Sequence, residues 1–193
     1  MTQQILIGRR VLAIDPTHRG FGYVVFEGPE FLVDWGVRSV HSPKNPRCAE
    51  SAARLIDLYR PDVLILEDAS ATGCRRQARV RGLLDELVTL ARQRGVRVHR
   101  VSRQNVRKTF ASQGASNKYR IARVIATRFP ELTPHLPPER KPWMSEDQRM
   151  AMFDAAAFAL AFFLASKASE QDEKTDIGHR SETGEGSSNC IAQ

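Results

Sequence analysis

The chain of 193 residues is poor in cysteine and in long apolar runs. Its three cysteines, Cys48, Cys74 and Cys190, show no C-x-x-C spacing, which excludes a disulfide scaffold and a cysteine-rich zinc site. No window approaches the roughly 18 uninterrupted apolar residues typical of a membrane-spanning helix, and the first residues lack the apolar stretch of a signal peptide. We therefore expect a cytoplasmic protein whose stability depends on an ordinary hydrophobic core.

Acidic residues are scarce between Ala69 and Pro130, where fifteen Lys or Arg accompany two acids. This segment carries +13 over 62 residues, in a chain whose total charge is +7. Such segregation is typical of a surface that binds nucleic acid, because each neutralised phosphate releases counterions. Charge alone leaves open the alternative of a solvated basic face without a partner.

The end of the chain has the opposite character. From Ser166 to Gln193 there is no aromatic residue, and six acids accompany three cations. This composition cannot bury enough apolar surface to offset the entropy of ordering. We predict one folded domain over residues 1–165, with a charge of +10, and a disordered acidic tail over residues 166–193.

Hydrophobic patterning predicts an α/β domain with a mixed sheet. Three opening strands form a meander, and the apolar run Val63–Leu66 predicts a buried central strand. The predicted strands cover residues 10–15, 21–26, 31–40, 63–66 and 96–101. The predicted helices cover residues 49–60, 79–94, 104–110, 116–129 with Ser116 as its cap, and 145–165 after a capping box at Ser145–Gln148.

Three acids occupy positions that apolar patterning should exclude. Asp15 ends the first strand, Glu67 ends the central strand, and Asp154 lies among Phe and Ala in the last helix. If the two strands are adjacent and parallel, these carboxylates converge at one edge of the sheet, where ligands bind in open sheets. Such a cluster of hard oxygen ligands suits Mg²⁺ or Mn²⁺. The alternative is that Asp15 starts a turn and Glu67 caps the next element.

Four segments carry motifs in a defined order. They are Val11–Pro16 followed by Gly20–Tyr23, then Pro61–Glu67, Val101–Lys118 and Phe153–Ala161. This order resembles the RuvC-type Holliday-junction resolvases of the RNase H-like fold, over about residues 10–165. The resemblance implies an RNase H-like, mixed five-stranded sheet flanked by helices, so that residues 1–165 form a nuclease domain.

The resemblance also implies an activity and a site. Asp15, Glu67 and Asp154 would be catalytic and would hold two Mg²⁺ or Mn²⁺ ions for phosphodiester hydrolysis in branched DNA. The products would carry a 5′-phosphate and a 3′-hydroxyl, and a homodimer near the nucleoid would cut two symmetric strands. The remaining implied residues bind the nucleic-acid backbone: Lys108, Lys118 and Arg120.

The chain departs from the family pattern at three places, one of which is Thr17, where a Gly is usual. Ala151 stands where the family commonly carries a fourth acid or a histidine. Asp147 either substitutes for this ligand through water or only favours the helix N-terminus. The segment after Glu67 lacks an aromatic wedge, and its basic residues either bind the backbone or are exposed charges. These residues are Arg75, Arg76, Arg79 and Arg81.

Two other functions therefore stay open at this point. One is an RNase H-fold nuclease that acts on RNA or flap substrates, and the other is a catalytically inactive nucleic-acid-binding module.

Overall fold

A five-stranded mixed sheet in the order β3-β2-β1-β4-β5 organises the domain in this computed structural model, which describes residues 8–72, 76–141 and 143–180. The first three strands form the predicted antiparallel meander, and β4 and β5 extend it in parallel with β1. The strands are β1 Arg10–Pro16, β2 Gly20–Glu27, β3 Phe31–Ser39, β4 Val63–Glu67 and β5 Arg97–Val101.

The described part of the chain also contains five α-helices and one short 3-10 helix. The helices are α1 Lys44–Tyr59, α2 Ala78–Gln93, α3 Arg103–Ala111, α4 Lys118–Arg128 and α5 Met150–Arg180, with the 3-10 helix at Pro130–His135.

Both faces of the sheet are buried, which explains why its central strands are almost entirely apolar. Side chains alternate along β1, so Leu12 and Ile14 pack against α1 and α2. Val11 and Ala13 pack on the opposite face, in a cluster with side chains of α3, α4 and α5. The same alternation places the side chain of Asp15 on the face of Val11 and Ala13.

Several helix ends differ from the sequence prediction. Helix α1 begins at Lys44 rather than residue 49, and a 3-10 helix lies in the stretch between the last two predicted helices. Asn117, not Ser116, caps α4, since its side chain accepts a hydrogen bond of 2.9 Å from the Arg120 amide. The last helix begins only at Met150. The carbonyl oxygens of residues 147–149 accept hydrogen bonds from the amides three residues later, and this pattern forms a tighter turn than an α-helix.

The predicted tail begins inside a helix. Helix α5 extends to Arg180, so the predicted helix end near Ala165 is wrong. The residues from Ala168 onward include several good helix formers, and extending an existing helix avoids the cost of nucleation. The first compact unit of the chain ends at Phe163 and a second begins at Leu164. Residues 181–193 lie outside the described residues, and the disordered tail stays a prediction.

The segment Met150–Lys167 is long and apolar enough to cross a membrane. Its side chains from Met150 to Phe163 are, however, buried in the described domain. A core helix of a globular protein has this property.

Candidate active site

Asp15, Glu67 and Asp154, termed the carboxylate cluster below, are the buried charged side chains of the described residues, at 2%, 3% and 9% exposure. Strands β1 and β4 are parallel neighbours with Ile14 opposite Leu66, so Asp15 and Glu67 leave the sheet side by side. The condition on which the convergence of these two carboxylates depended, adjacent and parallel strands, is therefore met.

The alternation along both strands decides which way the two acids point. Asp15 shares the face of Val11 and Ala13, and Glu67 shares the face of Val63 and Ile65. Helix α5 packs on this face, and it brings Asp154 to the same end of the strands. The sheet and one helix therefore place three carboxylates around one point.

Gly22 permits the close packing that this arrangement needs. A Cβ atom at Gly22 would lie 2.2 Å from the carbonyl carbon of Ala151, the second residue of α5. Gly22 is paired with Asp15 across the β1–β2 ladder. The helix can approach the sheet at Asp15 only because this position lacks a side chain.

Arg103 contacts every member of the carboxylate cluster. Its Nε donates to Glu67 Oε1 at 2.7 Å, its Nη1 to Asp154 Oδ2 at 3.3 Å, and its Nη2 to Asp15 Oδ1 at 3.4 Å. The ring of Phe158 lies 5.5 Å from the guanidinium carbon and supports the planar group. Arg103 thus bridges the three acids.

Two further cations complete the charge balance. The Arg76 guanidinium hydrogen-bonds Asp15 and Glu67 and also donates to the Pro16 carbonyl oxygen at 2.9 Å. Lys118 Nζ donates to Asp154 Oδ2 at 2.8 Å and to Glu146 Oε1 at 2.7 Å. Three cations therefore surround the three buried acids.

Burial and charge shift the pKa values of the site in opposite directions. Desolvation raises the pKa of Asp15 to about 7, although Arg76 and Arg103 oppose the shift. Burial lowers the pKa of Arg103, but the three carboxylates outweigh this effect and raise it above its usual range. The pKa of Lys118 is raised in the same way, chiefly through Asp154. All three cations are consequently charged at neutral pH.

The cavities that border the carboxylate cluster in the described part of the chain include two of different character. The first, termed the basic cavity, has a volume of about 520 Å³ and is lined by four cations beside Glu67: Arg76, Arg103, Arg107 and Lys118. The second, termed the acidic cavity, has a volume of about 280 Å³, and its lining includes Asp15, Asp147, Ala151 and Asp154.

The donor set suits a divalent cation, since carboxylate oxygens are the ligands that Mg²⁺ and Mn²⁺ prefer. Among the described residues, however, no group of three Asp, Glu, His or Cys side chains is arranged so that it could hold a metal ion. The Arg103 guanidinium lies where the three carboxylates meet. Asp15, Glu67 and Asp154 therefore fit a cation chemically, once Arg103 has left the position between them and Arg76 has released the oxygens of Asp15 and Glu67 that it shares with Arg103.

Asp147 and Ala151 lie in the acidic cavity with Asp15 and Asp154. The Asp147 carboxylate accepts hydrogen bonds from the Arg149 amide at 2.9 Å and from its guanidinium at 2.7 Å. These contacts favour a local role just before α5, and a role for Asp147 as a metal ligand stays a prediction. Ala151 offers no ligand atom.

The predicted nucleic-acid-binding residues fall into three groups. Arg76 and Lys118 lie in the site itself. Arg79 is used within the fold, because it donates to the Thr17 carbonyl oxygen at 2.6 Å and to Asn45 at 2.8 Å. The others are exposed on helices: Arg81 on α2, Lys108 on α3 and Arg120 on α4. Arg75 lies outside the described residues.

Arg103 is a residue of this site that the sequence analysis missed. It is the first residue of α3 and follows β5, whose Val101 is paired with Glu67. The rule that selected Asp15 and Glu67, that residues just beyond strand ends meet ligands, applies equally to Arg103. Its charge concealed it among fifteen cations of one segment.

Comparison with known proteins agrees with this architecture. A relative from Akkermansia muciniphila, the crossover junction endodeoxyribonuclease RuvC, is 28% identical over 125 residues, which cover 60% of this chain and 75% of the relative. The structure of RuvC from Thermus thermophilus superimposes with a TM-score of 0.60 at 20% identity, covering 83% of this chain and 97% of that one. The chain has a RuvC-like, RNase H-type fold.

Two further structures share this fold. Thermus thermophilus RuvC in complex with a Holliday junction substrate has a TM-score of 0.60 at 18% identity, over 82% of this chain and 96% of that one. Ydc2, the yeast mitochondrial Holliday junction resolvase, has a TM-score of 0.55 at 16% identity, over 82% and 79%. No family model matches the sequence. The resemblance to RuvC-type resolvases and the five-stranded mixed sheet that it implied are confirmed.

Proposed function

We propose that this protein is a divalent-cation-dependent endonuclease that hydrolyses phosphodiester bonds in branched DNA, with four-way junctions as its substrate. The observation that carries the proposal is the carboxylate cluster, buried at the ends of two parallel strands on a RuvC-like fold. Buried acids without a ligand are costly to keep ionised. Their position beside a cavity lined by cations suits an enzyme that binds phosphates and cuts them.

Each group has a role in this proposal. Asp15, Glu67 and Asp154 would hold Mg²⁺ or Mn²⁺, which when bound would activate a water and stabilise the leaving oxygen. The products would carry a 5′-phosphate and a 3′-hydroxyl. Lys118, at the N-terminus of α4, binds and orients a phosphate of the strand to be cut. The side chains of the basic cavity exclude bulk water from one side of that phosphate.

The proposal extends to assembly and location. Two symmetric cuts in a four-way junction need two active sites, so we expect a homodimer, which light scattering of the purified protein would detect. We place it in the cytoplasm, in contact with the nucleoid. The curated relative and the structures described above include enzymes named for crossover or Holliday junctions, which supports this choice of substrate.

The test is cleavage of labelled DNA by purified protein with Mg²⁺ or Mn²⁺. We expect four-way junctions to be cut, and linear duplex, flap and RNA–DNA hybrid substrates to be cut much more slowly. Asp15→Asn and Asp154→Asn should each lower the cleavage rate at least about a hundredfold, because each removes a charged cation ligand. Asp57→Asn is the matched control, since Asp57 is an exposed carboxylate that pairs with Arg94.

A second candidate function is favoured by two observations. Ala151 occupies the position of a possible fourth ligand, and cations already neutralise the cluster. Both features would suit a protein that binds junctions without cutting them. Tight junction binding with no cleavage by the wild-type protein would establish this function in place of the nuclease, and preferential cleavage of RNA or flaps would instead indicate a different nuclease.

A further inference from the structure

We propose that Arg103 is a switching residue, which occupies the cation position of the carboxylate cluster in the free protein and transfers to a DNA phosphate in the complex. The inference rests on the proposed function, because it takes DNA as the ligand. It adds a role for this chain's own arginine: binding of the cation and binding of DNA are coupled through the movement of one side chain.

The hydrogen bonds of Arg103 make it a direct competitor of a cation. Both oxygens of Glu67 accept bonds from it, at 2.7 and 3.3 Å, as do Asp154 Oδ2 and Asp15 Oδ1. A metal ion held by the same three carboxylates needs the same lone pairs. The guanidinium and the ion therefore exclude one another.

Electrostatics explains why the free protein keeps Arg103 there. Three acids at 9% exposure or less cannot remain ionised without compensating positive charge. Arg103, Arg76 and Lys118 provide at least as much positive charge as the three acids carry negative charge. A divalent cation finds little net negative charge in this compensated cluster, so the electrostatic attraction is small. We therefore expect the free protein to bind the cation weakly.

The structure offers Arg103 a second location. Its side chain also lines the basic cavity of about 520 Å³, together with Arg107 and Lys118. The planar fork of a guanidinium fits phosphate as well as it fits carboxylate. A backbone phosphate in this cavity would attract Arg103 away from the acids and leave the carboxylates free. Because binding effects are reciprocal, DNA would then raise the affinity for the cation.

The first experiment measures cation binding without DNA, so its readout is independent of cleavage. Mn²⁺ is titrated into the full-length protein at about pH 8, where carboxylates are ionised, and free Mn²⁺ is counted by electron paramagnetic resonance. Arg103→Met should bind Mn²⁺ at least about thirtyfold more tightly than wild type, because several charged hydrogen bonds no longer compete.

Arg107→Met is the matched control. Arg107 is exposed and lines the same cavity, so its loss removes the same charge nearby without vacating the cluster. We expect it to change the Mn²⁺ affinity at most about fivefold. Equal effects of the two substitutions would overturn the proposal.

Arg103→Lys covers the case in which Arg103→Met does not fold. Lysine keeps the charge, but its single ammonium group cannot bridge all three carboxylates as the guanidinium does. We expect an intermediate gain in Mn²⁺ affinity with a normal thermal transition, and an affinity equal to wild type would count against the switch.

The second experiment tests the transfer to phosphate. The cleaved phosphate of a junction, once mapped with wild-type protein, is replaced by an uncharged methylphosphonate, and binding is measured by fluorescence anisotropy without metal. The replacement should weaken wild-type binding about tenfold and weaken Arg103→Met binding much less, because the two partners act as a pair. Equal losses would show that Arg103 does not bind this phosphate.

The two proposals fail in different ways. A wild-type protein that never cuts DNA would refute the nuclease, and the Mn²⁺ titrations would still report on Arg103. Normal cleavage with unchanged Mn²⁺ affinity in Arg103→Met would refute only the switch.

Discussion

At the scale of single residues, the notable feature of the protein is a set of charged side chains inside an otherwise apolar core. The described domain buries three charged side chains, and all three belong to one cluster. Each is contacted by at least one cation, at distances of 3.4 Å or less. Such groups contribute little net stability, because desolvation offsets the attraction between them. The proposed cation binding therefore explains their arrangement better than a contribution to stability does.

The raised pKa of Asp15 predicts that the stability of the metal-free protein depends on pH. Its pKa rises from 3.8 to about 7 on folding, so the folded state holds a proton that the unfolded chain has released between these values. Stability is then lost as the pH rises through this window. Asparagine cannot ionise, so Asp15→Asn should gain stability relative to wild type as the pH rises from about 4 to about 7, by up to about 4 kcal/mol.

Urea denaturation at several pH values measures this difference, with Asp57→Asn as control. A hydrogen bond from Arg94 lowers the pKa of the exposed Asp57, so the sign is reversed. Its contribution is present above the unfolded pKa and disappears as the pH falls through the lower folded value. If both variants showed the same pH trend in stability, the burial of Asp15 could not be the cause of the trend in Asp15→Asn.

At the scale of elements, one contact sets the distance between sheet and helix. The backbone of α5 at Ala151 lies directly on Gly22 of β2, with no room for a Cβ atom. Asp154 follows Ala151 by about one helical turn. The position of the third carboxylate thus depends on the absence of a side chain on a strand distant in sequence.

Gly22→Ala should displace α5 and with it Asp154. We expect a loss of about 1–3 kcal/mol in the free energy of unfolding, as for other overpacked cores. The cleavage rate should fall by at least about tenfold, because small misplacements of catalytic groups are costly. Gly82→Ala is the control: Gly82 lies in α2, where a new Cβ would meet only the Asn45 side chain at 3.8 Å.

Alanine in a helix interior stabilises relative to glycine by about 0.5–1 kcal/mol. The two glycine variants should therefore change stability in opposite directions in urea denaturation. An unchanged cleavage rate in a folded Gly22→Ala protein would show that the helix can move without loss of the site.

At the scale of the whole molecule, the charge counted along the sequence exceeds the positive charge that is available to bind DNA. At least six of the fifteen cations between Ala69 and Pro130 are paired with acids. Two of them, Arg76 and Arg103, pair with the carboxylate cluster itself. The segment still carries the cations of the basic cavity, so its charge does mark the predicted DNA side.

Removal of residues 168–193 tests the division of the chain. The first compact unit ends at Phe163, so we expect the truncated protein to keep a cooperative thermal transition with a similar midpoint. The deleted segment is acidic, and its loss should tighten junction binding, most clearly at low salt. Loss of the thermal transition would contradict the predicted domain boundary, whereas weaker DNA binding would indicate a direct role for this segment.

Much of the fold was predictable because it is encoded locally. Alternating and continuous apolar runs marked all five strands, and the position of Asp15 and Glu67 at strand ends predicted that they would meet. Helix ends were less predictable, since Asn117 replaced Ser116 as a cap and α5 began at Met150. Competing turns of similar free energy decide such ends, and neighbouring residues do not distinguish them.

The sequence by itself determined the element order, the buried acids, the segregated charge and the resemblance to RuvC-type resolvases. Only the tertiary structure decided which cations face the acids. Arg103 and Arg76 reach the carboxylate cluster because β5 and the start of α2 lie beside β4, whereas Arg79 bonds to Thr17 and Asn45. An arginine has the same charge at every position, and the geometry of its neighbours determines whether it is structural, binds DNA or competes with a metal ion.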